Sequence, residues 1–155
     1  MRPMTQRSVL IALSLVGLTA GAVAVSAVGQ RATPTVVNPE KLTWNSIPVV
    51  PGVDGATVVG NPAARAPYVV FARYRAGVKV APHSHPDQRI VTVLSGTFYA
   101  GHGVKFDESK LKALKPGTVM IIPANAPHYG WAKDGPVLLE ETGFGPTRID
   151  VLKAH

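Results

Sequence analysis

Gly77-Val-Lys-Val-Ala-Pro-His83-Ser-His85-Pro-Asp-Gln-Arg89-Ile-Val-Thr-Val-Leu-Ser-Gly96 sets two histidines one residue apart at the end of an apolar, β-prone run. In an extended chain residues i and i+2 face the same way, about 7 Å apart at the Cα. The two imidazoles can therefore converge on one point, as a metal ion or a bound anion requires. A third histidine, His128, follows Pro123-Ala-Asn-Ala-Pro127 at the start of another strand-like run.

The flanking sequence reads as strands joined by tight turns. Tyr68–Arg75 alternates, with Tyr68, Val70, Ala72 and Tyr74 on one face and Val69, Phe71, Arg73 and Arg75 on the other. Arg89–Leu94 is β-branched, Ser95-Gly96 is a hairpin turn, and Thr97–Ala100 returns as its partner. Lys115-Pro116-Gly117-Thr118 has the signature of a type II turn, and Val119–Ile122 follows it as an apolar strand. Short strands are also expected at 56–59, His128–Ala132, Val137–Thr142 and Thr147–Leu152, with one helical turn at Phe106–Leu111 capped by Asp107. Nine or ten short strands with hardly a helix among them predict an all-β jelly roll or related sandwich.

Composition agrees and excludes several function classes. With 15 glycines and 14 prolines the chain suits many turns, and with no cysteine it has no disulfide, thiolate ligand or cysteine nucleophile. The formal charge of +7 includes Arg2 and Arg7, and the remaining basic residues are scattered rather than arranged in a stripe or recognition helix. Nucleic acid is therefore not an expected partner.

Met1–Arg7 carries two arginines, and Ser8–Gly29 then runs without a charge. This fits a signal peptide over residues 1–27, with Val25-Ser-Ala27 as a small-residue cleavage pattern. The competing reading is an uncleaved anchor, which would be the chain's only association with a membrane. Either way the remainder is exported, to the periplasm or the exterior. Residues 28–40 read as a linker and 41–155 as the folded domain.

The two histidine segments resemble the motifs of the cupin superfamily, small double-stranded β-helix barrels. Gly77, five residues, His83-Ser-His85, three residues, Arg89, six residues and Gly96 reproduce the spacing of the first motif, G(X)5HXH(X)3–4E(X)6G. Gly117, five residues, Pro123, Ala124, Asn125, two residues and His128 follow the second, G(X)5PXG(X)2H(X)3N, with Asn125 in place of a glycine and Ala132 in place of the final asparagine. The resemblance implies that His83, His85 and His128 hold a divalent ion such as Zn, Ni, Fe or Mn. Arg89 stands where the family's glutamate ligand would be, and a guanidinium cannot ligate a metal. A one-residue shift would bring Gln88 inward with a neutral amide oxygen instead. In the competing reading the histidines are satisfied polar residues at a barrel rim.

Alternation puts Arg89, Val91 and Val93 inside, together with Gly130 and Ala132, and puts Tyr129 and Trp131 outside. A glycine inside, next to a metal ligand, leaves room for a substrate. An inward Arg89 needs an anionic partner, from Asp87, Glu140, Glu141 or a ligand; otherwise it twists to the rim and stays solvated. Tyr68, Tyr74, Phe71, Phe98 and Met120 read as core. His102 reads as an exposed turn residue, although it and Tyr99 could reach the barrel mouth.

Two functions follow. In the first, the exported cupin binds or transforms a small oxygenated organic molecule at the three-histidine metal site, with Arg89 or Gln88 fixing the ligand and Arg89 and Tyr99 as catalytic candidates. The reaction would be that of an oxygenase, isomerase or lyase. In the second, the barrel is a metal-free, non-catalytic binder of a sugar or organic acid. Export argues against a nucleotide-sugar substrate. The family's habit of pairing implies a possible homodimer through Trp44–Val50.

Overall fold

Tyr68, Ala72 and Tyr74 are buried on one side of their strand while Arg73 between them is exposed, as the sequence alternation requires. A computed structural model describes residues 33–153, and the expected signal or anchor segment lies outside the described residues. Six strands come first in chain order: β1 (Asn45–Ser46), β2 (Val53–Gly60), β3 (Pro67–Tyr74), β4 (Lys79–Ser84), β5 (Arg89–Ser95) and β6 (Phe98–His102). Five more follow: β7 (Lys112–Leu114), β8 (Val119–Ile122), β9 (His128–Trp131), β10 (Val137–Phe144) and β11 (Asp150–Val151). They form two antiparallel sheets, ordered β1-β2-β3-β10-β5-β8 and β11-β4-β9-β6-β7. The expected all-β barrel is present. Among the described residues no helix is long and apolar enough to cross a membrane.

Most strands fall where alternation placed them, and the differences have physical reasons. β2 runs from Val53 to Gly60 rather than over 56–59, because a register shift between Thr57 and Val59 lets pairing with β3 continue past the irregularity. The expected strand Thr147–Leu152 shrinks to Asp150–Val151; Thr147 instead turns its hydroxyl into a buried polar network described below. β1 and β7, two and three residues long, are too short to give an alternating signal. The turn capped by Asp107 is a 3₁₀ helix, Glu108–Lys110, with the Asp107 carboxylate accepting from Ser109 N. Gly117 adopts φ +86° and Thr118 N donates to Lys115 O, so the type II turn is as expected. At Gly96 any side chain would strike Pro136 O, which is why the β5–β6 hairpin needs glycine there.

Between the sheets lies a core that includes Val53, Val80, Val93, Phe98, Ala132 and Leu139. Burying each large side chain contributes about 1.5–3 kcal/mol. Its upper layer is polar: along β5 the inward residues run Val93, Val91, Arg89, all at most 5 % exposed. Residues 33–38 have no regular structure and are exposed, and Asn38 then caps a 3₁₀ turn, Pro39–Lys41. Trp44 lies against the Arg73 guanidinium, 4.4 Å from its ring centre, and Val50 closes over the lower core.

Candidate metal centre

His83 reaches the interior through an irregularity in β4. Val80 pairs with Gly130 and His83 with His128, so three steps on β4 match two on β9. Strict alternation from the inward Val80 would turn His83 outward; the extra residue, next to Pro82, re-aims it. His85 follows two residues later on the same side. His128 opens β9 after a turn in which Ala126 N donates to Pro123 O and Asn125 has φ +61°. The resembled motif has glycine at this place because the backbone is left-handed, and asparagine is among the few residues that tolerate it. Asn125 N also donates to His85 O at 2.7 Å, tying the two histidine segments together.

The three rings lie within 4.2–5.2 Å of one another, centre to centre. Each Nδ1 sits 2.8–2.9 Å from a backbone carbonyl: His83 on Ala81 O, His85 on Arg148 O, His128 on Ala126 O. These carbonyls accept an N–H from each Nδ1 and leave each Nε2 with a lone pair facing the others. One ligand atom from each histidine falls within 4.8 Å of the other two. Burial holds all three neutral: His85 and His128 are pushed down to about 4, and His83 below its ordinary value. The neighbouring Arg89 charge adds to the effect on His85, and His83 adds to that on His128. Neutral, oriented, convergent imidazoles are a donor set that fits a divalent ion.

Arg89 is inside, not at the rim. Nη1 donates to Glu141 Oε2 at 2.7 Å, and Nη2 to Asp87 Oδ1 at 3.0 Å and to Thr147 Oγ at 2.5 Å. Asp87 further accepts from the Thr147 hydroxyl and, at 2.5 Å, from Tyr68 OH. Burial alone would raise the Asp87 carboxyl, but Thr147, Tyr68 and Arg89 outweigh it and hold the group below its usual range. Burial likewise opposes the Arg89 charge, and Glu141, Tyr68 and Asp87 overcome it. Tyr68 itself is pushed up to about 12 by burial and by the Asp87 carboxylate.

Residues 32–120, more than half of the chain, match the family described as the ChrR cupin-like domain. The chain is a cupin. The matched span contains His83, His85 and Arg89 and ends before His128. This cupin resembles the polyketide cyclase RemF from Streptomyces resistomycificus with a TM-score of 0.67 and 13% identity, over 79% of this chain and 88% of that one. An RmlC-like cupin from Shewanella frigidimarina gives 0.57 and 16%, over 72% and 91%. Salicylate 1,2-dioxygenase from Pseudoaminobacter salicylatoxidans, in complex with gentisate, gives 0.54 and 19%, over 65% of this chain and 30% of that one. These likenesses establish the barrel. A comparison with curated protein sequences finds no match.

Several sequence-based placements need correction. Gln88 is exposed and does not line the cupin's cavity, because the loop keeps Arg89 in register opposite Gly143 and Ile122. Tyr99 points away from the barrel interior, between inward Phe98 and Ala100, and donates to Asp134 at 2.6 Å; that carboxylate raises its pKa. Gly130 faces inward, but the space it leaves is filled by the Phe98 ring, whose nearest atom would lie 2.2 Å from a Cβ. His102 is exposed, opposite His128 in register, and outside the cavity lining. Glu140 is not the partner of Arg89; Glu141 is. The roles of Thr147 and Tyr68 carry no sequence signal, since they depend on which segments meet around Asp87.

The cavity has a volume of about 390 Å³. The three histidines, Arg89 and Glu141 line its upper part, and Val53, Val80, Phe98 and Leu139 lie below. Asn45, Ser46 and Pro48 are exposed residues on its border. Glu141 is its one carboxylate among the described residues.

Proposed function

We propose that this cupin holds a divalent metal ion on His83, His85 and His128 and binds a small oxygenated organic molecule beside it. The observation that carries this reading is the set of three Nδ1–carbonyl hydrogen bonds, which direct all three Nε2 atoms to one place. A set of histidines that merely satisfied themselves would have no need of a common focus. When bound there, the ion supplies Lewis acidity and open positions for an oxygen donor. The protein's own groups do the rest. The backbone carbonyls fix the imidazoles, the apolar wall excludes water, and Arg89 holds the Glu141 carboxylate at the cavity surface. Glu141 is the group placed to take up or return a proton, a role for which Tyr99 is too far out.

Structural neighbours named as a polyketide cyclase and as a salicylate dioxygenase holding gentisate support a barrel suited to small oxygenated molecules. The uncharged run Ser8–Gly29 behind two arginines supports export of this domain.

Elemental analysis of the protein purified without a histidine tag tests the reading. About one divalent ion per chain is expected, lost in His83→Ala and His128→Ala. Protein that is metal-free and also fails to take up Zn, Ni, Fe and Mn would overturn it.

A further inference from the structure

The three histidines are not held alike. His83 Nδ1 donates to Ala81 O and His128 Nδ1 to Ala126 O, each a carbonyl two residues back in its own segment. His85 Nδ1 donates instead to Arg148 O, 63 residues away, at 2.8 Å. Two of the imidazoles are therefore oriented by their local backbone, and the third depends on where a distant segment puts one carbonyl.

That segment is pinned by side chains rather than by a long ladder. β11 begins only at Asp150 and is two residues long. Before it, Thr147 N donates to Pro62 O at 2.8 Å. The Thr147 hydroxyl donates to Asp87 Oδ1 and accepts from Arg89 Nη2 at 2.5 Å. The Arg148 side chain is exposed and pairs with Asp150, while Ile149 packs against the core. The carbonyl that holds His85 thus belongs to the residue next to the one that joins Asp87 and Arg89. Both of those charged residues are at most 8 % exposed. Bonds to charged groups in such surroundings are shorter and stronger than neutral ones in water.

We infer that Thr147 is a positioning residue of the metal centre: it keeps the Arg148 carbonyl in place for His85, and so couples the Asp87–Arg89 pair to the imidazole set. The inference rests on the three-histidine reading for the ion, and on the hydrogen bonds alone for the orientation of His85. It gives the cation at the motif's glutamate position a part in the centre that needs no coordination, since Arg89 anchors the hydroxyl that sets the third ligand. A ring whose Nδ1–H has lost its acceptor is free to turn and to carry its proton on Nε2, where the lone pair is needed. Tyr68 supplies a control. Its hydroxyl donates to the other oxygen of the same carboxylate, Asp87 Oδ2, from a strand that carries none of the three histidines.

Nitrogen-15 NMR of the full-length protein, labelled in its histidine rings and free of a tag, tests this. In the metal-free wild type, at a pH above the histidine range, His83, His85 and His128 should each show the Nδ1–H tautomer. Thr147→Val, close in shape but without the hydroxyl, should lose that signature at His85 alone. It should also bind zinc about tenfold less tightly in competition with a chelator. Thr147→Ser should restore both, and Tyr68→Phe should lower the melting temperature while leaving both as in the wild type. Thr147→Ala serves as the second variant if Thr147→Val fails to fold. An unchanged His85 signature in the folded variant, an equal change at all three histidines, no recovery with serine, or the same loss in Tyr68→Phe overturns the inference. Should the wild type take up no zinc, the metal reading fails separately. The tautomer of His85 in metal-free protein then decides the role of Thr147.

Discussion

Arg89 on β5 donates to the Glu141 carboxylate on β10 at 2.7 Å. Gly143 is the residue directly opposite Arg89, so Glu141 is its diagonal neighbour on the same inner face. The position at which the cupin motif has a glutamate carries a cation here, and the adjacent strand returns a carboxylate to the cavity. The charge at the motif position is inverted, and a carboxylate faces it from the next strand. Replacing Arg89 by glutamate would therefore not restore a ligand; it would add a third carboxylate to a buried pair.

Arg89→Met should destabilise the fold strongly, on the order of 3 kcal/mol, because Asp87 and Glu141 stay buried without their cation. The double variant Arg89→Met/Glu141→Gln should recover part of that loss. Urea denaturation of the wild type, both single variants and the double variant measures the coupling. Additive effects would mean that the two groups do not interact as the distance says.

His128→Ala should abolish stoichiometric zinc binding and with it the rise in melting temperature on zinc addition, since a ligand stabilises only the state that binds it. Chelation of the wild-type protein should lower its melting temperature to that of the apo form. A variant that keeps both its zinc and its thermal shift would remove His128 from the centre.

The metal-free domain should lose stability as pH falls from about 6.5 to about 4. Burial pushes His85 and His128 down to about 4, so across this window the unfolded chain binds protons that the folded chain does not. Stability therefore rises with pH through the window and levels off above it. Guanidinium unfolding at several pH values checks this, and His128→Ala should flatten the slope. A profile flat between those limits would show that the rings are not desolvated.

Gly130→Ala should cost about 1–3 kcal/mol, because the new methyl meets the buried Phe98 ring. Phe98→Leu in the same chain should relieve it. If Gly130 instead made room for a ligand, the alanine would leave stability unchanged and block ligand binding.

Tyr99→Phe should leave zinc stoichiometry unchanged and shift stability by less than about 0.5 kcal/mol. Its hydroxyl serves Asp134 on the barrel's outside. Loss of ligand binding in this variant would return Tyr99 to the list of site residues.

Local rules went far in this chain. Alternation set Val91 and Val93 inward, glycine at 96 and 117 fixed two turns, and the motif-like spacing of His83, His85 and His128 marked the site. Even the misfit of Asn125 was readable, as an asparagine where the backbone turns left-handed. Pro82 inside a strand pattern was a signal for the irregularity that re-aims His83.

What local rules could not supply were partners from distant segments. Whether Arg89 stayed inside depended on Glu141 lying 52 residues away and Thr147 lying 58 away, brought together by the β5–β10 pairing and the segment before β11. The same holds for Gly130, whose missing side chain is matched by a ring from β6, and for the three carbonyls that orient the histidines, one of them from Arg148. Sequence by itself determined the all-β architecture, because it follows from periodicity within single strands, and it marked the three histidines through their resemblance to the cupin motifs. Only the tertiary structure decided which charges the barrel buries together and which wall the cavity presents, because those depend on contacts between strands far apart in the chain.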